Sequence, residues 1–447
     1  MIPCVKTEIP GPRSKEYLEV SRQYEPRSMS EQVPVVWDHA KGALVTDVDG
    51  NVFIDFTSGV LVTNIGHCHS DHVAAIQDQA GQMMNSYDFV TPWRAKLARK
   101  LVEITPPSLD RAFILTTGSE ATEAAIKMAR WATGRHEIIA FHGAFHGRTF
   151  GAMAAGGKSG VKRGFGPALP GFIHAPFPYC YRCPFGSTPD DCKLHTTEYL
   201  DWLLETESVG DVAALITEPY QGGSGSIMAP PGWLKLVFEW CQKRNIIFIL
   251  DEVQSSFGRT GTMFAFEHEG FVPNLVCLGK GIGSGVPVSA VVGESRIMDK
   301  LETGSMSSTN GGNPLSCRGA LTAIEIIEKE KLPERSMKLG KLMCERLTAL
   351  QGRSGILGDV RGQGLVWGLE LVTDKRSKDP APELTKALIE SACRKGLLMI
   401  APIGFHGNVV RIAPPLVIEE ELLNAALDIL DKCLCEVERQ VPSGKGA

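Results

Sequence analysis

The chain has 447 residues, of which 43% are hydrophobic and 22% are charged, a composition typical of soluble globular proteins. A formal net charge of -5 argues against nucleic acid or an anionic membrane as a partner. Apolar runs are too short to span a bilayer, and the segment 1–6 lacks the apolar stretch of a secretory signal. We therefore expect a cytoplasmic protein whose 12 cysteines are mainly reduced thiols.

The sequence pattern changes along the chain, which is long for a single hydrophobic core. Residues 1 to about 40 are polar and interrupted by prolines, as in an arm, and 42–56 alternate around Asp49-Gly50, as in a β-hairpin. From about 70 to 330, helical patterns alternate with short apolar strands. These strands are predicted at 112–115, 137–140, 212–217, 246–250, 275–278 and 288–292. Continuous apolar strands between helices are typical of a mostly parallel sheet in an α/β fold.

The pattern changes again near residue 330. Long charged helices are predicted around 319–351 and 382–395, with a strand at 364–372 and a last helix at 423–437. These elements indicate a small α/β domain with which the N-terminal segment packs. We predict three segments: 1–69 as an arm and part of the small domain, 70–329 as the large domain, and 330–447 as the C-terminal small domain.

One lysine at the end of a predicted strand, Lys280, is flanked by Gly279 and Gly281. Because neither neighbour has a Cβ, a flat cofactor could approach the lysine closely enough to form a Schiff base. A surface loop with a solvated lysine is the alternative, since glycine clusters are common in loops. The other motifs of the chain decide between these interpretations.

Two motifs lie where an α/β sheet could bind a ligand. Gly118 and Ser119 begin a predicted helix, where backbone N–H groups bind phosphate, although a plain Ser/Thr helix cap has the same sequence. Asp251 follows a buried strand, at the end where open α/β sheets bind ligands. Its carboxylate could pair with a protonated ring nitrogen, or it could be solvated in a loop.

A third motif, 144–149, contains Phe145, His146 and Arg148. Phe145 could stack on a planar ring and Arg148 could bind a carboxylate, although a core aromatic beside a surface arginine would look alike. A phosphate pocket, an acid for a pyridinium nitrogen, a stacking aromatic and a lysine for an aldehyde are what a pyridoxal phosphate (PLP) site requires. Their joint occurrence in one predicted domain favours such a site.

With these residues the chain resembles the class III (ω-) aminotransferases, PLP enzymes of fold type I, over nearly its whole length. It is similar to 4-aminobutyrate aminotransferases and to related PLP amino-acid racemases. The resemblance implies an α/β fold, with a large domain on a mostly parallel seven-stranded sheet and a small α/β domain from both chain ends. The motifs that carry it are 117–127, 144–149, 218–222, 251–261, 280–283, 311–314 and 361–365.

The resemblance also implies roles for individual residues. Lys280 forms the internal aldimine and then moves a proton between Cα and C4′, Asp251 pairs with the pyridine nitrogen, and Gln254 binds the ring hydroxyl. The other implied cofactor contacts are Phe145 and Val253 on the two ring faces, Gly118 and Ser119 at the phosphate, Thr309 at the neighbouring subunit's phosphate, and His146 and Glu218 around the ring. The implied substrate contacts are Val60, Arg148 for a distal carboxylate and Arg411 for the α-carboxylate.

One position departs from the 4-aminobutyrate aminotransferases. In those enzymes a second glutamate after the Glu-Pro motif pairs with the carboxylate-binding arginine, and Gly223 stands at that position here. Arg148 does match the residue that holds the distal carboxylate of 4-aminobutyrate. Because Arg148 is present but the glutamate is missing, the amino donor stays unassigned.

The resemblance predicts a PLP-dependent aminotransferase that transfers an amino group from an amino acid or ω-amino donor to a 2-oxo acid by a ping-pong mechanism. It also implies that the enzyme is a homodimer or a dimer of dimers. A PLP racemase, epimerase or dialkyl amino acid decarboxylase on the same fold is the nearest alternative. A nucleotide-dependent dehydrogenase is disfavoured because no G-x-G-x-x-G opens a helix after the first strand. A non-catalytic binding module is disfavoured because every cofactor-contacting position holds a competent residue.

Two motifs have the spacing of metal ligands. The segment 66–72 contains three histidines, but the family resemblance accounts for its Gly-His element without a metal. Cys180 and Cys183 form a C-x-x-C pair followed by Cys192, which could bind zinc or an iron–sulfur cluster or could be plain thiols. A fourth ligand is not evident, and we predict no metal site.

Overall fold

The structure is a computed structural model that describes residues 3–29 and 31–440, without the side chains of 189 and 192–194. It divides into two compact units, one formed by 1–69 with 332–447 and the other by 70–331. Within the described residues, no helix is both long and apolar enough to cross a membrane.

The helices and strands of the two units are as follows, in chain order. The helices are α1 (Pro12–Tyr24), α2 (Ser58–Leu61, a single turn), α3 (Ser70–Ala80), α4 (Pro92–Glu103), α5 (Gly118–Thr133), α6 (Phe150–Ala155), α7 (Ser159–Lys162), α8 (Pro189–Thr206), α9 (Trp233–Lys243), α10 (Ser295–Met298), α11 (Pro314–Lys329), α12 (Leu332–Arg353), α13 (Pro382–Arg394) and α14 (Glu420–Glu438). The strands are β1 (Trp37–Lys41), β2 (Leu44–Asp47), β3 (Val52–Asp55), β4 (Arg111–Leu115), β5 (Glu137–Phe141), β6 (Phe172–Ala175), β7 (Val212–Thr217), β8 (Tyr220–Gln221), β9 (Ile227–Met228), β10 (Ile247–Asp251), β11 (Leu275–Leu278), β12 (Ser289–Gly293), β13 (Leu357–Gln363), β14 (Val366–Leu371), β15 (Leu397–Leu398) and β16 (Val409–Ile412).

The larger unit is built on a seven-stranded sheet in the order β4-β12-β11-β10-β7-β5-β6. The central strands run parallel, and β12 alone among these seven is antiparallel to both of its neighbours. Every residue of β7, β10 and β11 is buried, as expected for strands covered on both faces. The α/β class and the mostly parallel seven-stranded sheet predicted from the sequence are confirmed.

The smaller unit draws on both chain ends. Strand β15 from the C-terminal part pairs parallel with β3 from the N-terminal part, in a sheet ordered β1-β2-β3-β15. A second, antiparallel sheet has the order β13-β14-β16. The N-terminal segment contains helix α1, whose first N–H groups, those of Arg13 and Ser14, donate to the Asp49 carboxylate at 2.8 and 2.9 Å. This carboxylate caps a helix that has no cap of its own.

The single helix predicted around 319–351 is wrong. The structure has two helices there, α11 and α12, separated by Lys331 in a left-handed conformation with a φ of 52°. Pro333 lies in the first turn of α12, where the missing N–H of proline costs nothing. Sequence analysis also omitted strands β6 and β13, and β13 forms a hairpin with β14.

Candidate active site

Lys280 directly follows β11, at the start of a 3₁₀ turn that spans Lys280–Ile282. Strand β11 lies beside β10 at the centre of the sheet and is fully buried. Lys280 is partly buried and has a φ of 46°, which is uncommon for a residue other than glycine. The lysine is therefore held at the end of a central strand, and a freely solvated loop lysine does not describe it.

The N-terminus of α5 has an internal cap that leaves its first N–H groups available. The Thr117 hydroxyl accepts from the N–H of Glu120 at 3.2 Å, and the Glu120 carboxylate accepts from the N–H of Thr117 at 3.1 Å. This capping box makes Thr117 the cap, so that Gly118 and Ser119 are the first helical residues. Their N–H groups have no partner within the helix and form an anion-binding end.

The loop that carries Arg148 meets this helix end. The Ser119 hydroxyl accepts from the N–H of Arg148 at 3.0 Å, and the Thr122 hydroxyl donates to the carbonyl of His146 at 3.0 Å. A Cβ on Gly147 would collide with the Ser119 hydroxyl, and Gly147 has a φ of 144°. Only glycine fits this close approach between the loop and α5.

Val253 lies between two glycine backbones. A Cβ built on Gly118 would lie 2.9 Å from Cγ1 of Val253, and a Cβ built on Gly279 would lie 3.0 Å from the same atom. The valine therefore brings the helix end of Gly118 and the strand end before Lys280 to one apolar side chain. This contact joins three of the sequence motifs at one end of the sheet.

Asp251 ends β10 and is bonded to His146. Nδ1 of His146 and Oδ2 of Asp251 are 2.7 Å apart, and the two side chains are 0% and 5% exposed, so the pair is shielded from water. Burial opposes protonation of His146, but the bond to Asp251 and the charges of Asp251 and Glu218 outweigh it and raise the pKa of the imidazole. The contact with Asp251 therefore favours the protonated form of the imidazole.

Glu218 is a second buried acid beside this pair. Its carboxylate accepts from the N–H of Phe145 at 3.0 Å. Burial raises the pKa of Glu218 to about 7, against the opposing effect of the His146 charge. The acid therefore changes charge near neutral pH, while it holds the backbone of the aromatic residue in place.

Two buried polar atoms of the site have no hydrogen-bond partner within the described part of the chain: Nε2 of His146 and Oε1 of Gln254. A Cβ on Gly222 would collide with Oε1 of Gln254, so glycine at this position lets the amide pack against the backbone. Buried polar groups are nearly always hydrogen-bonded in native proteins. The unsatisfied Gln254 amide fits a site built to receive a polar ligand.

The residues present fit PLP. The end of α5 suits its phosphate, the Asp251 carboxylate suits a protonated ring nitrogen, and the unsatisfied Gln254 amide suits the ring hydroxyl. Phe145 and Val253 offer apolar surfaces for the ring, and Lys280 is the amine for the aldehyde. All of these side chains belong to the same unit.

Other predicted site residues lie at the surface of this unit. Arg148 is exposed, and its guanidinium carbon lies 5.6 Å from the centre of the Phe145 ring. Thr309 is exposed in the bend before Gly311. These positions leave Arg148 available to a soluble carboxylate and Thr309 available to a second molecule.

Val60 and Arg411 belong to the other unit. Arg411 lies on β16, where it is 5% exposed and faces Gly368 across the strand pair β14–β16. Val60 is 40% exposed in the turn α2. Their roles toward a substrate stay predictions from the family resemblance.

Some residues of the site were missed by sequence analysis. Thr122 and Glu123 lie within the motif 117–127, but no role was assigned to either. Oε1 of Glu123 accepts from the Thr149 hydroxyl at 2.6 Å and from the N–H of Gly151 at 2.8 Å. With the Thr122 bond to His146, these contacts fasten the 144–149 loop to α5. The available signal was the adjacent polar pair Thr122 and Glu123 in the first half of α5, next to the apolar positions of that helix.

The described residues contain no group of three or more His, Cys, Asp or Glu placed to hold a metal ion. His67 pairs with Asp55 at 2.8 Å. Cys180 and Cys183 are partly buried, and the Cys192 side chain lies outside the described residues.

Comparisons with known proteins agree with this geometry. The family model described as aminotransferase class-III matches residues 26–434. The chain is 39% identical to a 4-aminobutyrate aminotransferase of Mycobacterium leprae, over 96% of this chain and 97% of the relative. It is 37% identical to a leucine/methionine racemase of Thermococcus litoralis, over 95% and 96%.

A solved structure has the same fold. It is the taurine:2-oxoglutarate aminotransferase of Bifidobacterium kashiwanohense in complex with PLP and glutamate, with a TM-score of 0.90 and 27% identity over 96% of this chain and 99% of that one. The chain therefore belongs to the class III aminotransferase family and is a PLP-dependent transaminase.

Proposed function

We propose that this enzyme moves an amino group from an amino acid or ω-amino donor to a 2-oxo acid, with Lys280 as the residue that carries the reacting proton. The observation behind the proposal is the placement of Lys280 and Asp251 after the neighbouring strands β11 and β10. Ligands of open α/β sheets bind at the carboxyl ends of parallel strands.

PLP, when bound, supplies the electron sink that makes the Cα–H bond of an amino donor acidic. The residues of the chain would orient and protect it. The N-terminus of α5 would hold the phosphate, Gln254 would bind the ring hydroxyl, and Asp251 would hold a proton at the ring nitrogen. Phe145 and Val253 would confine the ring between apolar surfaces and exclude water from its faces.

Lys280 would act as base and then as acid on the substrate. It would remove the proton at Cα and return it at C4′, and the reverse steps with a 2-oxo acid would complete the ping-pong cycle.

The substrate carries at least one carboxylate in this proposal. Arg411 would bind the α-carboxylate of amino acids and 2-oxo acids, and Arg148 would bind a distal carboxylate of ω-amino donors. Gly223 lies beside Phe145, and its carbonyl accepts from the Lys158 ammonium at 3.0 Å. Because no carboxylate stands at position 223 to pair with Arg411, we expect α-amino donors to be accepted in addition to ω-amino donors bound through Arg148.

The variants Arg411→Gln and Arg148→Gln should separate the two carboxylate sites. Losing a charge-assisted hydrogen bond should raise KM roughly 10- to 100-fold. Arg411→Gln should raise KM for L-alanine and for the 2-oxo acid, and Arg148→Gln should raise KM only for 4-aminobutyrate. Steady-state kinetics with both donors measures this, and Arg346→Gln, which removes an exposed pair with Asp428, is the control. Equal effects of Arg148→Gln on both donors would contradict the assignment.

Racemisation is a second candidate because relatives at this level of identity include an alanine/serine racemase and an isoleucine 2-epimerase. It requires only that the proton return to the other face of Cα instead of to C4′.

Incubation of one amino acid enantiomer without any 2-oxo acid distinguishes the two reactions. A transaminase should stop after one turnover per site, whereas a racemase should continue until the enantiomers are equal. Chiral chromatography of the amino acid, with parallel assays of pyruvate or 2-oxoglutarate as acceptor, gives the result. Sustained inversion without amino transfer would overturn the proposal.

We also propose that the enzyme is a cytoplasmic homodimer in which Thr309 reaches the phosphate bound by the neighbouring subunit. The exposed position of Thr309 supports this arrangement. Exposed apolar side chains in the same unit, Phe89 at 77% and Val90 at 83%, also support an interface. A dimer of dimers is the next possible assembly, and sedimentation velocity measures which one forms.

A further inference from the structure

Helix α5 holds the chain around Arg148 through one of its faces. Thr122 and Glu123 follow Ser119 by three and four residues, a spacing that places side chains on the same side of a helix. Ser119 and Thr122 bond to the backbone at or just before Arg148, each at 3.0 Å. Glu123 bonds to the residues just after Arg148. The same helix face therefore anchors the chain on both sides of the arginine.

Glu123 supplies the N-terminal cap of α6. One oxygen of its carboxylate, Oε1, accepts from the N–H of Gly151 at 2.8 Å and from the N–H of Ala152 at 3.1 Å. The same oxygen accepts from the Thr149 hydroxyl at 2.6 Å. A Cβ on Gly151 would collide with the carboxylate, so glycine at this position permits the close approach. The start of α6 is thus held by a side chain of α5.

This cap differs from those of α4 and α5. Thr91 and Thr117 stand at the cap positions of those helices, and their hydroxyls accept from N–H groups of the same helix. Thr149 stands at the cap position of α6, but its hydroxyl makes no such bond and donates to Glu123 instead. A threonine can cap its own helix, so capping alone does not require Glu123. What a local cap cannot do is tie the residue after Arg148 to α5.

The same face joins Arg148 to the end of α5 that is proposed to hold phosphate. The Ser119 hydroxyl accepts from the N–H of Arg148, and a Cβ on Gly147 would collide with that hydroxyl. Thr122 is fully buried and His146 is 3% exposed, so the bond between them is shielded from water. The backbone of the arginine is therefore fixed to a helix of 16 residues.

The Arg148 side chain, in contrast, is exposed. Its guanidinium carbon lies 5.6 Å from the centre of the Phe145 ring. An exposed arginine can adopt many rotamers, so the place that its charged group reaches depends on where its backbone is held. A small misplacement of a binding group is enough to weaken a contact with a substrate.

We propose that Glu123 is a positioning residue for Arg148, and that it sets the preference of the enzyme for substrates with a distal carboxylate. With the Glu123 bonds in place, the guanidinium stays where that carboxylate can meet it. Without these bonds, residues 149–152 are released from α5 and Arg148 loses the anchor on one side. This inference rests on the role of Arg148 in the proposed function.

Isothermal titration calorimetry with glutarate and propanoate tests the inference without any turnover. Glutarate carries a second carboxylate for Arg148 and propanoate does not, so the ratio of their dissociation constants reports the contact with this arginine. Glu123→Ala should weaken glutarate binding about 3- to 30-fold and leave propanoate binding unchanged. Glu123→Gln keeps an oxygen that can accept from Thr149, Gly151 and Ala152, so it should keep the wild-type ratio.

Glu269→Ala is the matched control. The Glu269 carboxylate also caps a helix without a cap of its own, α9, and accepts from the N–H groups of Gly232 and Lys235 at 3.0 and 2.8 Å. Glu269 belongs to the same unit and has no assigned role. Both alanine variants should lower Tm, because each removes a helix cap, but only Glu123→Ala should change the ratio of dissociation constants. Equal ratios in the two variants would overturn the inference.

Two Arg148 variants separate this inference from the proposed function. An unchanged ratio in Arg148→Gln would overturn the proposed role of Arg148 itself. A changed ratio there, together with the wild-type ratio in a folded Glu123→Ala protein, would overturn only the role of Glu123. If Glu123 acts through Arg148, adding Glu123→Ala to Arg148→Gln should change the ratio no further, and a further change would contradict the inference. If Glu123→Ala does not fold, Thr149→Val removes the hydroxyl bonded to Glu123 and should shift the ratio in the same direction.

Discussion

Replacement of Lys280 by alanine should abolish transamination. We expect kcat to fall by at least about 10⁴-fold, the upper range for loss of a general acid–base group, because no other residue is proposed to carry the proton. The covalent link to the cofactor aldehyde should disappear as well. The rate of 2-oxo acid formation measures the first effect, and borohydride reduction followed by peptide mass analysis measures the second.

A matched lysine in the same unit provides the control for this variant. Lys162 is partly buried and donates to the carbonyl of Ala154 at 3.1 Å, but it has no proposed part in the reaction. Lys162→Ala should keep both the visible absorbance of the bound cofactor and its covalent attachment. If Lys280→Ala kept either the attachment or substantial turnover, the proton-carrying residue would lie elsewhere in the chain.

Much of the fold is encoded in local patterns. Strands such as β7, β10 and β11 are continuous apolar runs, because both faces of the central sheet are covered. The positions of three candidate cofactor contacts also follow local patterns, since Gly118 begins α5, Asp251 ends β10 and Lys280 follows β11. The break at Lys331 was missed although Pro333 marks the start of a new helix.

Other features depend on contacts between distant parts of the chain and leave no local pattern. The bond between His146 and Asp251 joins residues 105 positions apart. The cap of α6 comes from Glu123 on α5, so it cannot be read from the sequence around Thr149. The antiparallel direction of β12 likewise follows from its pairing with β11 and β4, and not from its apolar sequence.

Asp251→Asn should remove most of the catalytic rate while the fold is kept. Asparagine has nearly the same shape and can still accept from Nδ1 of His146, but it carries no charge to hold a proton at the ring nitrogen. Loss of one preorganised electrostatic contact of this kind costs about 10²- to 10³-fold in kcat. Because the Asp251 charge helps to raise the pKa of His146, that pKa should also fall in the variant. Steady-state kinetics gives the first result, and NMR titration of the imidazole gives the second.

The neighbouring residue offers a strict control for the Asp251 variant. Glu252 is fully buried, and its carboxylate accepts from the N–H groups of Ala265 and Phe266, both at 2.9 Å. Burial raises the pKa of Glu252 to about 7, so its neutral form is accessible near neutral pH and its contacts are structural. Glu252→Gln should therefore lower stability at most and keep kcat. If both amide variants lowered kcat equally, the effect would come from disturbed packing at the end of β10, and Asp251 would have no electrostatic role in the reaction.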